Sequence, residues 1–121
     1  MGKKPVDNVL ANVDPTVPGT YEYECSASGI DKSGFQLDLT PGTGSLTVTL
    51  LGTLADNKLP VPQREYYDIT KATFGEDDFT TSIILNDDAG KLAVYEDLKV
   101  KIVVVGNDGK YKITQRSLRG E

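Results

Sequence analysis

The sequence predicts a single all-β domain, an antiparallel β-sandwich or jelly roll with an extended N-terminal arm. Three observations support this fold class. The chain has 121 residues, which is the length of one domain. Apolar and polar residues alternate through most segments after residue 20, which is typical of half-buried strands. Turn signals rich in Gly, Pro and Asp separate these segments at regular intervals, and no segment has the spacing of a convincing amphipathic helix.

The first 19 residues are predicted to form the extended arm, followed by the sandwich domain over residues 20–121. Three prolines interrupt the arm, at positions 5, 15 and 18. A short edge strand around 8–13, a frayed terminus and an arm lying on a neighbouring subunit are all compatible with this composition. The apolar side chains that such an arm would offer to a partner are Val6, Val9, Leu10 and Val13.

About eight strands follow the arm, and their alternation predicts which side chains face the core. The segments with the clearest alternation are "TYEYECSAS", "GFQLDLT" and "SLTVTLLGT". Shorter strands are predicted at "YYDIT" (66–70) and "FTTSIILN" (79–86), and "KLAVYEDLKVKIVVV" is predicted to form one or two strands. The proline-containing segment 54–65 is predicted to be an irregular loop.

The segment "LKVKIVVVGNDGKYKIT" (98–114) is predicted to form a β-hairpin with its cations on one face. Like charges that lie directly opposite each other on two strands repel. We therefore expect either solvated lysines that protect an edge strand or acidic neighbours that compensate the charge. The acidic neighbours would belong to another subunit or to the strand with Glu22 and Glu24. The predicted row consists of Lys99, Lys101, Lys110, Lys112 and Arg116.

The residue types that are missing argue against an enzyme. The chain has no histidine and a single cysteine, Cys25. Hydrolases that use an imidazole base and zinc sites that use histidine are therefore excluded, and we interpret Cys25 as a small buried apolar residue. The acidic clusters 76–78, 87–88 and 96–97 lack the spacing of a calcium loop and are interpreted as solvated turns. We expect no cofactor and no metal site.

Charge distribution predicts a protein partner. The formal net charge of −5 argues against nucleic-acid binding as the main role. Residues 1–97 carry a net charge of −9 and residues 98–121 a net charge of +4, which suits self-pairing or docking on an acidic partner. Neither a signal peptide nor an apolar run long enough for a membrane span is recognisable, so we expect a protein used without secretion.

Two adjacent tyrosines suggest an alternative ligand site. Tyr66 and Tyr67 follow the proline-containing loop, and tyrosines can offer sugars both an apolar ring face and a hydroxyl group. The simpler interpretation places one tyrosine in the core and the other on the surface. A carbohydrate-binding or receptor-binding module is therefore the alternative function.

The order of segments resembles the small β-sandwich accessory proteins of tailed-bacteriophage particles, in particular capsid decoration (cement) proteins. The resemblance covers roughly residues 30–119. It comprises "GSLTVTLLGTLADNK", "YYDIT" with its two aromatic residues before Asp-x-Thr, "FTTSIILND", "LKVKIVVVGNDGKYKIT" and the basic end "QRSLRGE". The proline-rich loop at 59–62 is less typical of that pattern.

This resemblance implies a non-enzymatic virion structural protein. Such proteins are made in the host cytoplasm, lie on the capsid exterior and connect neighbouring capsid subunits. The implied partners are the major capsid protein and other copies of the chain, as a dimer or trimer, without nucleic acid or membrane. The arm and the basic face would form the interface. A neck or tail protein of the same particle is equally compatible with the sequence.

Overall fold

Alternating apolar and polar residues produce eight strands in the computed structural model, which describes residues 4–25, 30–54, 65–87 and 90–119. A five-residue helix, α1 (Thr70–Phe74), follows β5, and a 3₁₀ turn (Lys91–Val94) precedes β7. The predicted all-β antiparallel sandwich is confirmed. The strands are β1 (Lys4–Val13), β2 (Gly19–Cys25), β3 (Ile30–Thr40), β4 (Ser45–Thr53), β5 (Tyr67–Asp68), β6 (Ile83–Asn86), β7 (Asp97–Val105) and β8 (Lys110–Arg119).

The strands form two four-stranded antiparallel sheets. Sheet 1 has the order β1-β8-β3-β6, and sheet 2 has the order β2-β7-β4-β5. Apart from the β4–β5 pair, each strand is followed by one in the opposite sheet, and the first strand pairs with the last. This interleaved order is that of an eight-stranded jelly roll.

The core lies between the two sheets and contains the side chains that alternation predicted to face inward. Burial of these side chains provides the main driving force for packing one sheet on the other. Tyr23 of sheet 2 and Tyr111 of sheet 1 also connect the sheets through their hydroxyl groups, 2.7 Å apart. The buried side chains include Phe35, Leu37, Leu39, Leu46, Val48, Leu50, Leu98, Val100, Ile102, Val104, Tyr111 and Ile113.

The prediction of a hairpin at 98–114 is wrong, because the two strands of this segment belong to different sheets. β7 lies in sheet 2 between β2 and β4, whereas β8 lies in sheet 1 between β1 and β3. Residues 106–109 therefore cross from one sheet to the other. The five cations do not form one row, because β7 and β8 point their polar side chains to opposite outer faces of the sandwich.

The N-terminal segment belongs to the sandwich rather than extending away from it. β1 is an edge strand that pairs with β8 over most of its length. Leu10 and Val13 pack against the core of their own domain, whereas Val9 points outward and is 53% exposed. Val6 lies opposite Ser117 in the register, and its side chain lies outside the described part of the structure.

Three predicted strands are shorter in the structure than in the sequence pattern. Within 66–70 only β5 is a strand, within 79–86 only β6 is, and β7 begins after a 3₁₀ turn.

The interpretation of Asp87 as a solvated turn residue is wrong. Its carboxylate is buried and accepts hydrogen bonds from the Lys91 and Leu92 amides at 2.9 and 2.7 Å, which stabilises the 3₁₀ turn. Residues 55–64 of the predicted loop over 54–65 lie outside the described residues.

Candidate functional site

The outer face of sheet 1 gathers three of the five predicted cations. The strand β8 alternates between core residues and outward-facing polar residues, because it is covered by sheet 2 on one side only. Its outward residues lie in the middle of the sheet, between those of β1 and those of β3. We call this surface the β8 face, and it comprises Lys110, Lys112, Thr114 and Arg116 of β8 with Val9 of β1 and Gln36 and Asp38 of β3.

The two lysines of the β8 face direct their charge toward solvent. Lys110 and Lys112 are exposed, and neither makes an ion pair with a residue that the structure describes. Asp38 lies opposite Lys112 in the register, but its carboxylate accepts both hydrogen bonds from the Gln36 side-chain amide at 3.2 Å. Asp14 borders the same concavity as Asp38 and the two lysines, so the β8 face carries only a small net positive charge, in a chain that is acidic as a whole.

The β7 lysines on the outer face of sheet 2 lie beside acidic residues of their own chain. Lys101 lies opposite Glu22 of β2 in the register, and Lys99 lies opposite Glu24. The Lys99 ammonium lies 3.3 Å from a carboxylate oxygen of Glu22 and 4.2 Å from the centre of the Tyr66 ring. The Lys99–Glu22 contact agrees with the expectation that the strand with Glu22 and Glu24 compensates lysine charge, but among the described residues it does so for Lys99 alone.

Tyr66 and Tyr67 have different roles in the structure. The Tyr66 hydroxyl donates a hydrogen bond to Asp97 at 2.6 Å, and the Tyr66 ring also contacts Lys99, so its polar group and one ring face are engaged within the chain. Tyr67 is 64% exposed and donates to Glu65 at 2.8 Å. Hydrogen bonding to this carboxylate raises the pKa of the Tyr67 hydroxyl.

A groove beside Tyr67 is the second candidate site. Its volume is about 570 Å³, which falls in the range of small-molecule sites. Tyr67 and Tyr95 supply aromatic rings and Glu65 a carboxylate, which are groups that can contact a sugar. The remaining lining residues are Gly52, Thr53, Leu54 and Ile69.

Cys25 is buried among core residues, which confirms its interpretation as an apolar core residue. Its side chain is only 3% exposed. Burial raises the pKa of the thiol far above its usual range, and the negative charges of Asp97 and Glu24 raise it further. The nucleophilic thiolate is therefore disfavoured at neutral pH.

The described residues contain no group of three or more Cys, Asp or Glu side chains that is arranged to hold a metal ion. Among the helices of this same part of the chain, none has the length and apolar character needed to cross a membrane.

No protein-family model and no curated protein matches the chain. The resemblance to decoration proteins therefore stays a prediction.

The sequence pattern missed the β3 residues that complete the β8 face. Alternation in "GFQLDLT" indicates that Gln36 and Asp38 point away from the core. It does not indicate that β3 lies next to β8, because alternation determines the face of a side chain and not the neighbouring strand. Only the jelly-roll topology places the Asp38 carboxylate beside the lysines.

Proposed function

We propose that this chain is a non-enzymatic virion structural protein that binds the outside of a phage capsid through the β8 face. One observation carries the proposal: Lys110 and Lys112 are exposed at the centre of a sheet and form no ion pair with a described residue, while Lys99 on the opposite side is paired with Glu22 of its own chain. Such a surface complements a carboxylate-rich protein surface. The major capsid protein is the partner.

The fold and the resemblance, which rests on the order of strand segments, both support this proposal. Jelly rolls occur in viral capsid and lectin domains, so the fold is compatible with particle assembly without specifying it. The segment order resembles that of decoration proteins. A shell offers many identical sites, and attachment at several of them strengthens contacts that are individually weak. The protein would thereby connect neighbouring capsid subunits.

Reversing both lysines should remove most capsid binding. We expect the double variant Lys110→Glu and Lys112→Glu to bind with an affinity at least tenfold lower at physiological salt, since repulsion of about 1.4 kcal/mol is sufficient for a tenfold loss of affinity. The measurement is co-sedimentation with particles that lack the protein, followed by quantitative mass spectrometry. Wild type should reach on the order of hundreds of copies per particle.

A matched control separates the β8 face from the effect of net charge. The pair Lys71 and Lys91 lies elsewhere, on α1 and the 3₁₀ turn, and both residues are exposed. Reversing these two lysines gives the same net charge and should leave binding unchanged. Equal binding by both double variants would reject the β8 face as the interface. A wild-type count of about a dozen would assign the protein to the neck or tail, and no copies would reject the virion role.

The groove beside Tyr67 supports the alternative function, a carbohydrate-binding or receptor-binding module. Tyr67 is exposed there with Tyr95 and Glu65, whereas the ring and hydroxyl of Tyr66 are already engaged. In a glycan screen at millimolar ligand, this alternative predicts binding that Tyr67→Ala abolishes and Tyr66→Phe retains. If no glycan binds at that concentration, the alternative is rejected.

A further inference from the structure

The strand β6 forms an edge of sheet 1 that differs chemically from the other edges of the sandwich. Edge strands expose unpaired backbone groups, and proteins usually protect them with charges, prolines, bulges or short length. β1 contains Pro5 and a register shift between Val9 and Ala11, β2 carries Glu22 and Glu24, and β5 has two residues. Each of these edges has at least one protective feature.

β6 has none of these features other than its modest length of four residues. The stretch 79–86, "FTTSIILN", contains no charged residue, no proline and no glycine. Ile84 projects from the outer face and is 66% exposed. Uncharged segments of high β-propensity at an edge favour pairing with another strand.

The register shows which backbone groups of β6 are directed away from β3. The Asp87 N–H donates to the Ser33 carbonyl at 3.0 Å, so Ser33 and Asp87 form a hydrogen-bonded pair. In an antiparallel ladder such pairs alternate with pairs that exchange no hydrogen bonds. Leu85 and Ile83 therefore bond to β3, opposite Phe35 and Leu37, whereas the N–H and C=O groups of Ile84 and Asn86 point to the open edge.

We propose that β6 pairs antiparallel with β6 of a second copy of this chain, across a two-fold axis centred on Ile84. In this arrangement the two Ile84 residues exchange both of their N–H···O bonds and cover each other's side chains. The absence of charge along the strand means that self-pairing opposes no like charges. By contrast, antiparallel self-pairing of β2 would bring the Glu22 and Glu24 carboxylates of two copies together.

The pairing joins the two copies of sheet 1 into one eight-stranded sheet. A two-fold axis perpendicular to this sheet leaves both β8 faces on the same side. The dimer then presents two cationic surfaces to one partner, which increases its effective affinity for a repetitive surface. Self-pairing itself does not depend on the proposed function. Because a four-residue strand forms a small contact, we expect a weak dimer with a dissociation constant between about 1 µM and about 1 mM.

Sedimentation velocity of the isolated protein from about 1 µM to about 1 mM tests the proposal without any capsid. Wild type should shift with concentration toward twice the chain mass of 13.1 kDa. Ile84→Pro removes the N–H at the open edge and leaves the ladder to β3 intact, a position where proline is tolerated. Both Ile84→Pro and Ile84→Lys should raise the dissociation constant at least tenfold.

Val9→Lys is the matched control, because Val9 is an exposed β-branched residue on the same outer face at the opposite edge. The Val9→Lys variant should dimerise as wild type does, and so should the double variant Lys110→Glu and Lys112→Glu. Circular dichroism verifies that each variant is folded. If Ile84→Pro unfolds, Ile84→Lys alone provides the comparison with wild type. A wild type that stays monomeric up to 1 mM overturns the proposal. A dimer that Val9→Lys disrupts and Ile84→Lys retains also overturns it.

Discussion

Replacing Gly44 with alanine is expected to lower the free energy of unfolding by about 3 kcal/mol or more. A Cβ atom at this position would lie 1.6 Å from the Val105 carbonyl oxygen and 3.0 Å from the Gly106 Cα. Both neighbours are backbone atoms, so no side chain can rotate to relieve the overlap. The turn at 41–44 would have to separate from the connection between β7 and β8.

The contact at Gly44 matters because it holds the position where the chain changes sheets. Thr43 donates from its backbone N–H and its hydroxyl to the Asp108 carboxylate, at distances between 3.0 and 3.2 Å. These bonds lower the pKa of Asp108. Their contribution to stability is therefore present above the ordinary pKa of an aspartate and is lost as the pH falls through the lowered value.

Gly75→Ala is the control for the Gly44 variant. Gly75 is the C-terminal cap of α1, with φ of +82°, but a Cβ there would meet nothing within 4 Å. Its replacement should cost only about 1 kcal/mol, the strain of a left-handed backbone. Urea unfolding compares the two variants. If Gly44→Ala is as stable as Gly75→Ala, the turn at 41–44 does not approach the connection between β7 and β8 this closely in solution.

Replacing Thr70 with valine is expected to lower the free energy of unfolding by about 2 kcal/mol, with the shape of the side chain almost unchanged. Thr70 is completely buried beside β4, and its hydroxyl accepts a hydrogen bond from the Leu50 N–H at 2.7 Å. The same hydroxyl donates to the Leu50 carbonyl at 3.3 Å. Valine would leave the Leu50 N–H buried without its acceptor.

Thr49→Val provides the comparison for Thr70→Val. Thr49 is half-buried on the neighbouring position of β4, and its hydroxyl has no hydrogen-bond partner among the described residues. This replacement should change stability by less than about 0.5 kcal/mol. Amide hydrogen exchange by NMR adds a local measurement, since only Thr70→Val should accelerate exchange of the Leu50 amide. Similar stabilities for the two valine variants would contradict the role of the Thr70 hydroxyl.

Alternation along the strands was sufficient to predict the core. The inward residues of β3 and β4, from Phe35 to Leu50, were assigned correctly because each sheet has one buried and one solvated face. The same rule assigned Lys110 and Lys112 correctly to an outer face. These assignments depend only on a local period of two residues.

The same rule does not predict which strands pair with each other. "GNDG" between two alternating segments is an ordinary hairpin signal, yet in this chain it spans the two sheets. The choice depends on which sheet each strand completes, and that is a property of the whole fold. Lys99 and Lys101 were therefore grouped with cations that lie on the other side of the molecule.

The roles of Tyr66 and Asp87 were also inaccessible from local sequence. Each depends on a partner that the fold brings close, Asp97 for Tyr66 and the amides of the 3₁₀ turn for Asp87. Polar residues in a turn-like segment look solvated until such a partner is known. Sequence composition alone therefore predicted solvent contact for Asp87, where the fold supplies hydrogen-bond partners within the chain.

The central position of β8 in sheet 1 has a consequence for the order of events during synthesis. β8 separates β1 from β3, and β7 likewise separates β2 from β4, so β1 and β2 have no sheet partner until the last two strands have been made. Residues 4–25 leave the ribosome well before residues 97–119. Native pairing therefore waits for distant segments, and we expect folding on the slow timescale of proteins dominated by non-local contacts, roughly milliseconds to seconds. The early strands are exposed to mispairing during that interval.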